Sequence, residues 1–159
     1  MQLEAPRIEN SKAFRIAGLR EHYTPETMKN IAGLWQRFAP HIGNIPGQVG
    51  QVAYGLCFNA LSPDGMDYLA GVEVSSASGL PGDFSVASIS VQKYAVFSHR
   101  QHVSKIYQTL EAIDKWLPGS GLEVACETKE APNFFERYSE EFDPRTGLGG
   151  MEIWVPIKS

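Results

Sequence analysis

Cysteine is scarce in this chain of 159 residues: Cys57 and Cys126 are the only two. They lack metal-ligand spacing, and two thiols do not build the disulfide framework of a small exported domain. Both read as small buried hydrophobes, the usual place of a free cysteine. Long apolar runs are missing too. No stretch approaches the roughly 20 residues that span a bilayer, and the opening Met1-Gln2-Leu3-Glu4-Ala5-Pro6 has no signal-peptide pattern. The expected compartment is the cytoplasm, with no membrane partner. Clustered cations are absent as well: 14 Lys and Arg are dispersed against 18 Asp and Glu, for a net charge of −4. Phosphate neutralisation needs clustered positive charge, so no direct nucleic-acid binding is expected. The acidic balance leans weakly toward cationic small molecules. His22, His41, His99 and His102 form no metal motif and read as surface or capping residues. No Ser-His-Asp or Cys-His arrangement stands out, and no glycine pattern cradles phosphate ahead of a helix. No cofactor and no metal are expected.

What is present is an ordinary soluble composition, 43% apolar and 20% charged, enough for one domain or two small halves sharing a core. Residues 11–23 read as a strand carrying Phe14 and Ile16. Thr24-Pro25 has the chemistry of a helix start, and Met28, Ile31, Leu34, Trp35, Phe38 and Ile42 keep helical spacing until Pro40. Residues 51–61 and 67–75 read as two strands joined by the turn Ser62-Pro63-Asp64-Gly65. On the second of them, Glu73 and Gly71 share a face. After a Gly/Pro loop, residues 84–98 read as one long strand. Val103 to Leu117 then forms a helix with a clear apolar stripe, stopped by Pro118-Gly119. Strand-like segments follow at 122–128, 134–142 and 150–158, with Asp143 to Gly147 as a turn. In the last, Met151, Ile153, Val155 and Ile157 face one way, and Glu152, Trp154 and Pro156 the other.

The most informative stretch is Asn133-Phe134-Phe135-Glu136-Arg137-Tyr138. Read as a strand, it places Phe134, Glu136 and Tyr138 on one face and Phe135 and Arg137 on the other. A carboxylate between two rings is either half exposed and solvated, or lines a cavity suited to a positively charged guest. Fully buried, it must be paired, hydrogen-bonded or protonated.

The order strand, helix, strand, strand occurs twice. Landmarks recur at offsets of 79 to 81: Phe14 with Tyr94, Trp35 with Trp116, Phe58 with Tyr138, and Glu73 with Glu152. The expected fold is α+β, a tandem βαββ repeat with half-repeats at about 1–78 and 79–159. Pseudo-two-fold symmetry and antiparallel sheets cover the apolar faces, leaving a ligand cleft between the halves.

The segments Lys93 to Arg100, Trp116-Leu117-Pro118, Asn133 to Tyr138 and Glu152 to Ile157, in this order and spacing, resemble the GyrI-like small-molecule-binding family. That family includes the effector-binding domains of AraC-type regulators. The resemblance covers nearly the whole chain, although Gln101 stands where the family commonly has a glycine. It implies a tandem βαββ fold around a central aromatic pocket with an acidic residue, which binds small hydrophobic, often cationic compounds. Carried onto this sequence, the acid is Glu136, with Glu73 as the second candidate and Tyr138 and Trp154 as walls. Tyr54 and Phe58, on the matching strand of the first half, extend the ligand-binding set. Trp35 and Trp116 read mainly as helix-packing residues. No helix-turn-helix region is present, so the chain is not expected to act as a transcription regulator by itself. Two other functions stay open. One is a hydrolase of strained electrophiles such as cyclopropane-containing toxins, with Glu136 and Tyr138 as its catalytic pair. The other is a gyrase-inhibitor-like protein-interaction module, with an unknown protein partner.

Overall fold

Alternation of apolar and polar side chains dominates the chain, and eight strands result among the described residues. The computed structural model describes residues 3–59, 63–125, 131–143 and 145–158. Its elements run β1 (Arg7–Ser11), β2 (Phe14–Tyr23), α1 (Ile31–Phe38), β3 (Gln48–Phe58), β4 (Met66–Val74), β5 (Ser85–Ile89), β6 (Gln92–His99), α2 (Ile106–Trp116), β7 (Phe134–Tyr138) and β8 (Met151–Ile157). All strands join one antiparallel sheet in the order β1-β6-β8-β7-β3-β4-β2-β5. The fold is α+β: two helices on an eight-stranded, curled antiparallel sheet.

Exchanging each strand with its counterpart in the other half reverses this order and leaves it unchanged, so the topology repeats as the sequence suggests. Two features differ from the sequence reading. The halves do not form separate sheets, because β3 pairs with β7 and makes the seam a continuous ladder. Each half also gains an edge strand and lends it to the other: β1 pairs with β6, and β5 pairs with β2. The expected long strand over 84–98 is therefore broken at Ser90-Val91, since β5 and β6 belong to opposite ends of the sheet. In β1 the apolar signal is weak because most of it is exposed.

Ladder register fixes the faces, since residues directly opposite each other point the same way. One face carries Ala17, Leu19, Tyr68, Ala70, Val72 and Cys57 beneath α1, where Leu34 and Phe38 are buried. The same face continues across the seam to Phe97, Ile153 and Val155 beneath α2, which buries Ile113. Phe134 packs against both clusters, so it lies between the two helices. The other face is the inside of the curl, filled by Ile16, Leu56, Phe58, Leu69, Tyr94, Val96 and Phe135.

Boundaries moved where local bonding beat propensity. Thr24 does not cap a long helix. Its hydroxyl lies 3.2 Å from that of Thr27, its carbonyl accepts from the Thr27 and Met28 amides, and α1 begins only at Ile31. Pro40 follows the end of α1 at Phe38, as its missing donor dictates. The expected strand at 122–128 is represented by a single bridge, Val124 to Ile157, and its remainder, with Cys126, lies largely outside the described residues. Ser62 and Pro144, from the two expected turns, also lie outside them. His99 corrects the surface reading. Strand alternation places it beside Phe97's face, and it is buried, with Nδ1 2.7 Å from Thr109 Oγ1 and Nε2 2.9 Å from the His102 carbonyl. His102 does cap, since its Nδ1 accepts from the Ser104 amide. No described helix is long and apolar enough to cross a membrane.

Candidate ligand site

At the centre of the seam, Glu136 on β7 lies directly opposite Gly55 on β3 and Ile153 on β8. Only 8% of it is exposed. Two phenols solve the problem of its charge. Tyr68 donates to Glu136 Oε1 at 2.6 Å and Tyr138 donates to the same oxygen at 2.9 Å. Tyr68 in turn accepts from the indole N–H of Trp35 at 3.0 Å. The chain Trp35–Tyr68–Glu136–Tyr138 thus ties α1, β4 and β7 together. The rings close around it, with the Trp35 and Tyr138 centroids 5.4 Å apart and those of Tyr138 and Phe142 4.8 Å apart, both edge to face.

Gly55 makes this arrangement possible. A Cβ there would fall inside the contact distance of Tyr68 Oη, 2.7 Å from Tyr68 Cζ and 2.7 Å from Glu136 Oε1. The missing side chain is the space the Tyr68–Glu136 hydrogen bond occupies.

Burial pushes the Glu136 carboxyl above its usual range, although the hydrogen bonds from Tyr68 and Tyr138 pull it down. Burial, reinforced by the Glu136 charge, pushes both phenols well above theirs. Cys57 shares this environment and its thiol is pushed up by burial and then by Glu136. The site is therefore a buried aromatic cage around one carboxyl that resists ionisation. A cation placed beside it would reverse that resistance.

The six sequence-predicted ligand residues divide between the two faces of the sheet. Glu136 and Tyr138 meet on the helix side. Trp154 is opposite Phe135, and Tyr54 is opposite Arg137, so both point into the curl. Glu73 and Phe58 lie on that inner face as well. Trp154 and Glu73 thus lie across the sheet from Glu136. The matching of Phe58 with Tyr138 fails for the same reason, since the two project from opposite faces. Phe58 is a core residue with the Arg20 guanidinium 4.2 Å over its ring. On the inner face, Trp154 Nε1 donates to Glu152 at 3.1 Å, and Glu152 also pairs with Arg7 at 2.6 Å and Arg137 at 3.6 Å. Burial would raise the Glu152 carboxyl, but these partners outweigh it and hold it below its usual range.

Sequence reasoning missed Tyr68 and Gly55, and placed Trp35 with the packing residues. Tyr68 was readable in principle, because it alternates with Ala70 and Val72 on the α1 face of β4. Its pairing with Glu136, 68 residues away, required the β3–β7 seam.

A profile of the GyrI-like small molecule binding domain matches residues 4–158. The chain belongs to the GyrI-like family. It is 32% identical over 155 residues to the transcriptional regulator BrlR of Pseudomonas aeruginosa, covering 95% of this chain but 54% of BrlR. It thus spans about half the length of that relative. Among solved structures, this GyrI-like chain superposes on SAV2435 bound to tetraphenylphosphonium with a TM-score of 0.74 at 24% identity, covering 100% of this chain and 95% of that one. The C-terminal domain of EcmrR gives a TM-score of 0.70 at 12% identity, covering 100% and 99%. These two likenesses establish the GyrI-like fold. The regulator kinship places this small-molecule-binding domain among those related to effector domains of transcription regulators.

Proposed function

We propose that this domain senses or sequesters small hydrophobic cations. The guest would lie on the helix side of the seam, with Glu136 as its counter-charge and Trp35, Tyr68, Tyr138 and Phe142 as its aromatic surroundings. The carrying observation is the buried Glu136 held by two phenols in a cage of rings. A carboxylate alone would favour any cation; rings add about 0.5–2 kcal/mol per contact for a desolvated one and favour apolar substituents. The fold relative SAV2435 takes tetraphenylphosphonium, a guest of this class. Glu136 is buried beneath the rings of Trp35 and Tyr138, so entry requires these two to part. Trp35 is the movable member, being only partly buried and on a helix of eight residues.

Titration with tetraphenylphosphonium tests the reading. Saturable binding is expected, weakened at least tenfold in Glu136→Gln, about 1.4 kcal/mol. Equal affinity in the two proteins removes Glu136 from the site. A second reading, hydrolysis of a strained electrophile, rests on the raised carboxyl of Glu136 beside the Tyr138 hydroxyl. A protonated carboxyl or a phenol in a dry pocket can donate a proton to a leaving group. Product formation that survives in both Glu136→Gln and Tyr138→Phe rejects it.

A further inference from the structure

The inner face of the curl holds a second, chemically different recess. A cleft of about 90 Å³ is lined by Phe14, Tyr54, Phe135 and Trp154 together with Lys12, Glu73 and Arg137. It adjoins a groove of about 450 Å³ that shares Lys12, Phe14 and Glu73 and continues over Arg15, Val74 and Ile89. A full sheet separates both from Glu136. The rings are already in place: Phe135 and Trp154 stack at 5.5 Å, and Phe14 and Tyr54 are 5.8 Å apart.

The charges are the informative part. Among the described residues neither Glu73 nor Lys12 forms an ion pair, though both line the cleft. Arg137 pairs with Glu152 at 3.6 Å, interacts with the Tyr54 hydroxyl and lies 5.9 Å from the Trp154 ring centre; a guanidinium carries five donors, more than these partners use. Glu73 is half-buried on the inner face of its strand, and the recess offers both signs of charge at once. A lone cation would meet Arg137 and Lys12, and a lone anion would meet Glu73. A guest carrying both charges satisfies all three residues.

Size narrows the class. A cavity of about 150 Å³ accepts a benzene ring, so the smaller recess suits a polar head rather than a ring. The larger groove lies within the range of small-molecule sites and offers Phe14 and Ile89 to an apolar tail. We propose that the recess binds the head group of an amino acid with an aromatic or large apolar side chain. The ammonium meets Glu73 among the rings of Tyr54, Phe135 and Trp154, the carboxylate meets Arg137 and Lys12, and the side chain lies along the groove.

The test titrates L-phenylalanine, phenethylamine and 3-phenylpropionate into the ¹⁵N-labelled protein and follows the tryptophan indole N–H resonances. Trp154 reports the inner face and Trp35 the helix side. L-Phenylalanine is expected to shift the Trp154 signal saturably while leaving that of Trp35 in place. The two single-charge analogues bind roughly tenfold more weakly, the loss of one ion pair. Glu73→Gln and the exposed-turn variant Lys12→Gln each weaken phenylalanine, and Glu136→Gln does not. Circular dichroism shows whether each variant is folded, and Lys12→Gln keeps the test open should Glu73→Gln unfold. No shift at 10-millimolar-scale phenylalanine, shifts confined to Trp35, or equal affinity for all three compounds each overturns the proposal. Failure of tetraphenylphosphonium binding leaves it untouched, because that ligand reads the other face.

Discussion

Adding one carbon at Gly55 would test the architecture of the Glu136 site more sharply than removing any charged group. In Gly55→Ala the new methyl enters the space of the Tyr68 hydroxyl and approaches Glu136 Oε1 to 2.7 Å. Something must yield. The strand neighbours cannot, because Gly55 is paired on both sides, with Ala70 and Glu136. The Tyr68 ring is fully buried, so its rotation is blocked by Trp35 and Cys57 in the same cluster. The expected outcome is loss of the Tyr68–Glu136 hydrogen bond. A bond to a charged group is worth about 1.5–3 kcal/mol, and overpacking adds about 1–3 kcal/mol. Replacing glycine in a strand returns about 0.5–1 kcal/mol of backbone entropy. The net destabilisation is about 1.5–5.5 kcal/mol, and at roughly 2–4 °C per kcal/mol for a chain of this size the midpoint falls by about 3–22 °C. Urea denaturation measures it directly. The partner experiment is the double mutant Gly55→Ala/Tyr68→Phe. Tyr68→Phe removes the oxygen that the methyl strikes, so the second change should cost less in the alanine background than alone, with a coupling of about 1 kcal/mol or more. A Gly55→Ala protein within about 0.5 kcal/mol of the parent, or strictly additive mutations, would show that the pocket floor is not built as described.

Glu136→Gln should separate affinity from stability. Because burial holds the carboxyl above its usual range, the folded protein binds a proton more tightly than the unfolded chain, and this contribution to stability is present at acid pH and lost as pH rises through the raised value. At pH 8 the glutamine variant is therefore at least as stable as the parent, and thermal unfolding at pH 4 and pH 8 checks the sign. For the same reason, tetraphenylphosphonium affinity in the parent should fall as pH drops below the raised value, approaching about tenfold per pH unit, and calorimetry should detect proton release on binding. A pH-independent affinity refutes the linkage. Trp35→Ala should quicken ligand association, by removing the ring that closes the site, while weakening equilibrium affinity; stopped-flow quenching that shows slower association contradicts the gate. His99→Ala removes the ring that bridges Thr109 and the His102 carbonyl, and should cost about 2–4 kcal/mol without changing cation affinity.

Periodicity made the two helices, the central strands and the duplication legible, because each is a local pattern of side chains on one face. Alternation also paired Glu136 with Tyr138 and set Trp154 opposite to Ile153. It did not reveal how faces match between strands. An offset of 80 equates Phe58 with Tyr138, yet the seam places Phe58 with Phe135 and Tyr138 with Glu136, one residue out of phase. A single-residue error turns every side chain to the other face, and that is why one expected pocket became two groups of residues back to back. The exchange of edge strands was hidden for a similar reason. β1 and β5 bury little apolar surface, and their partners lie in the opposite half of the chain.

The two candidate acids answer the same physical problem in different ways. Glu136 lies over a glycine, receives two phenol hydrogen bonds on one oxygen and is closed from water, so its charge is conditional on what arrives. Glu73 lines an open cleft among rings and shares it with Lys12 and Arg137, so both signs of charge face the same space. A carboxyl of the first kind discriminates by total charge, because a neutral guest gives it no reason to ionise. One of the second kind discriminates by the separation of charges within the guest, because both signs are already displayed. A single eight-stranded sheet can therefore carry two recognition chemistries without either interfering with the other: successive residues of β7 point to opposite faces, and Glu136 and Arg137 are such neighbours.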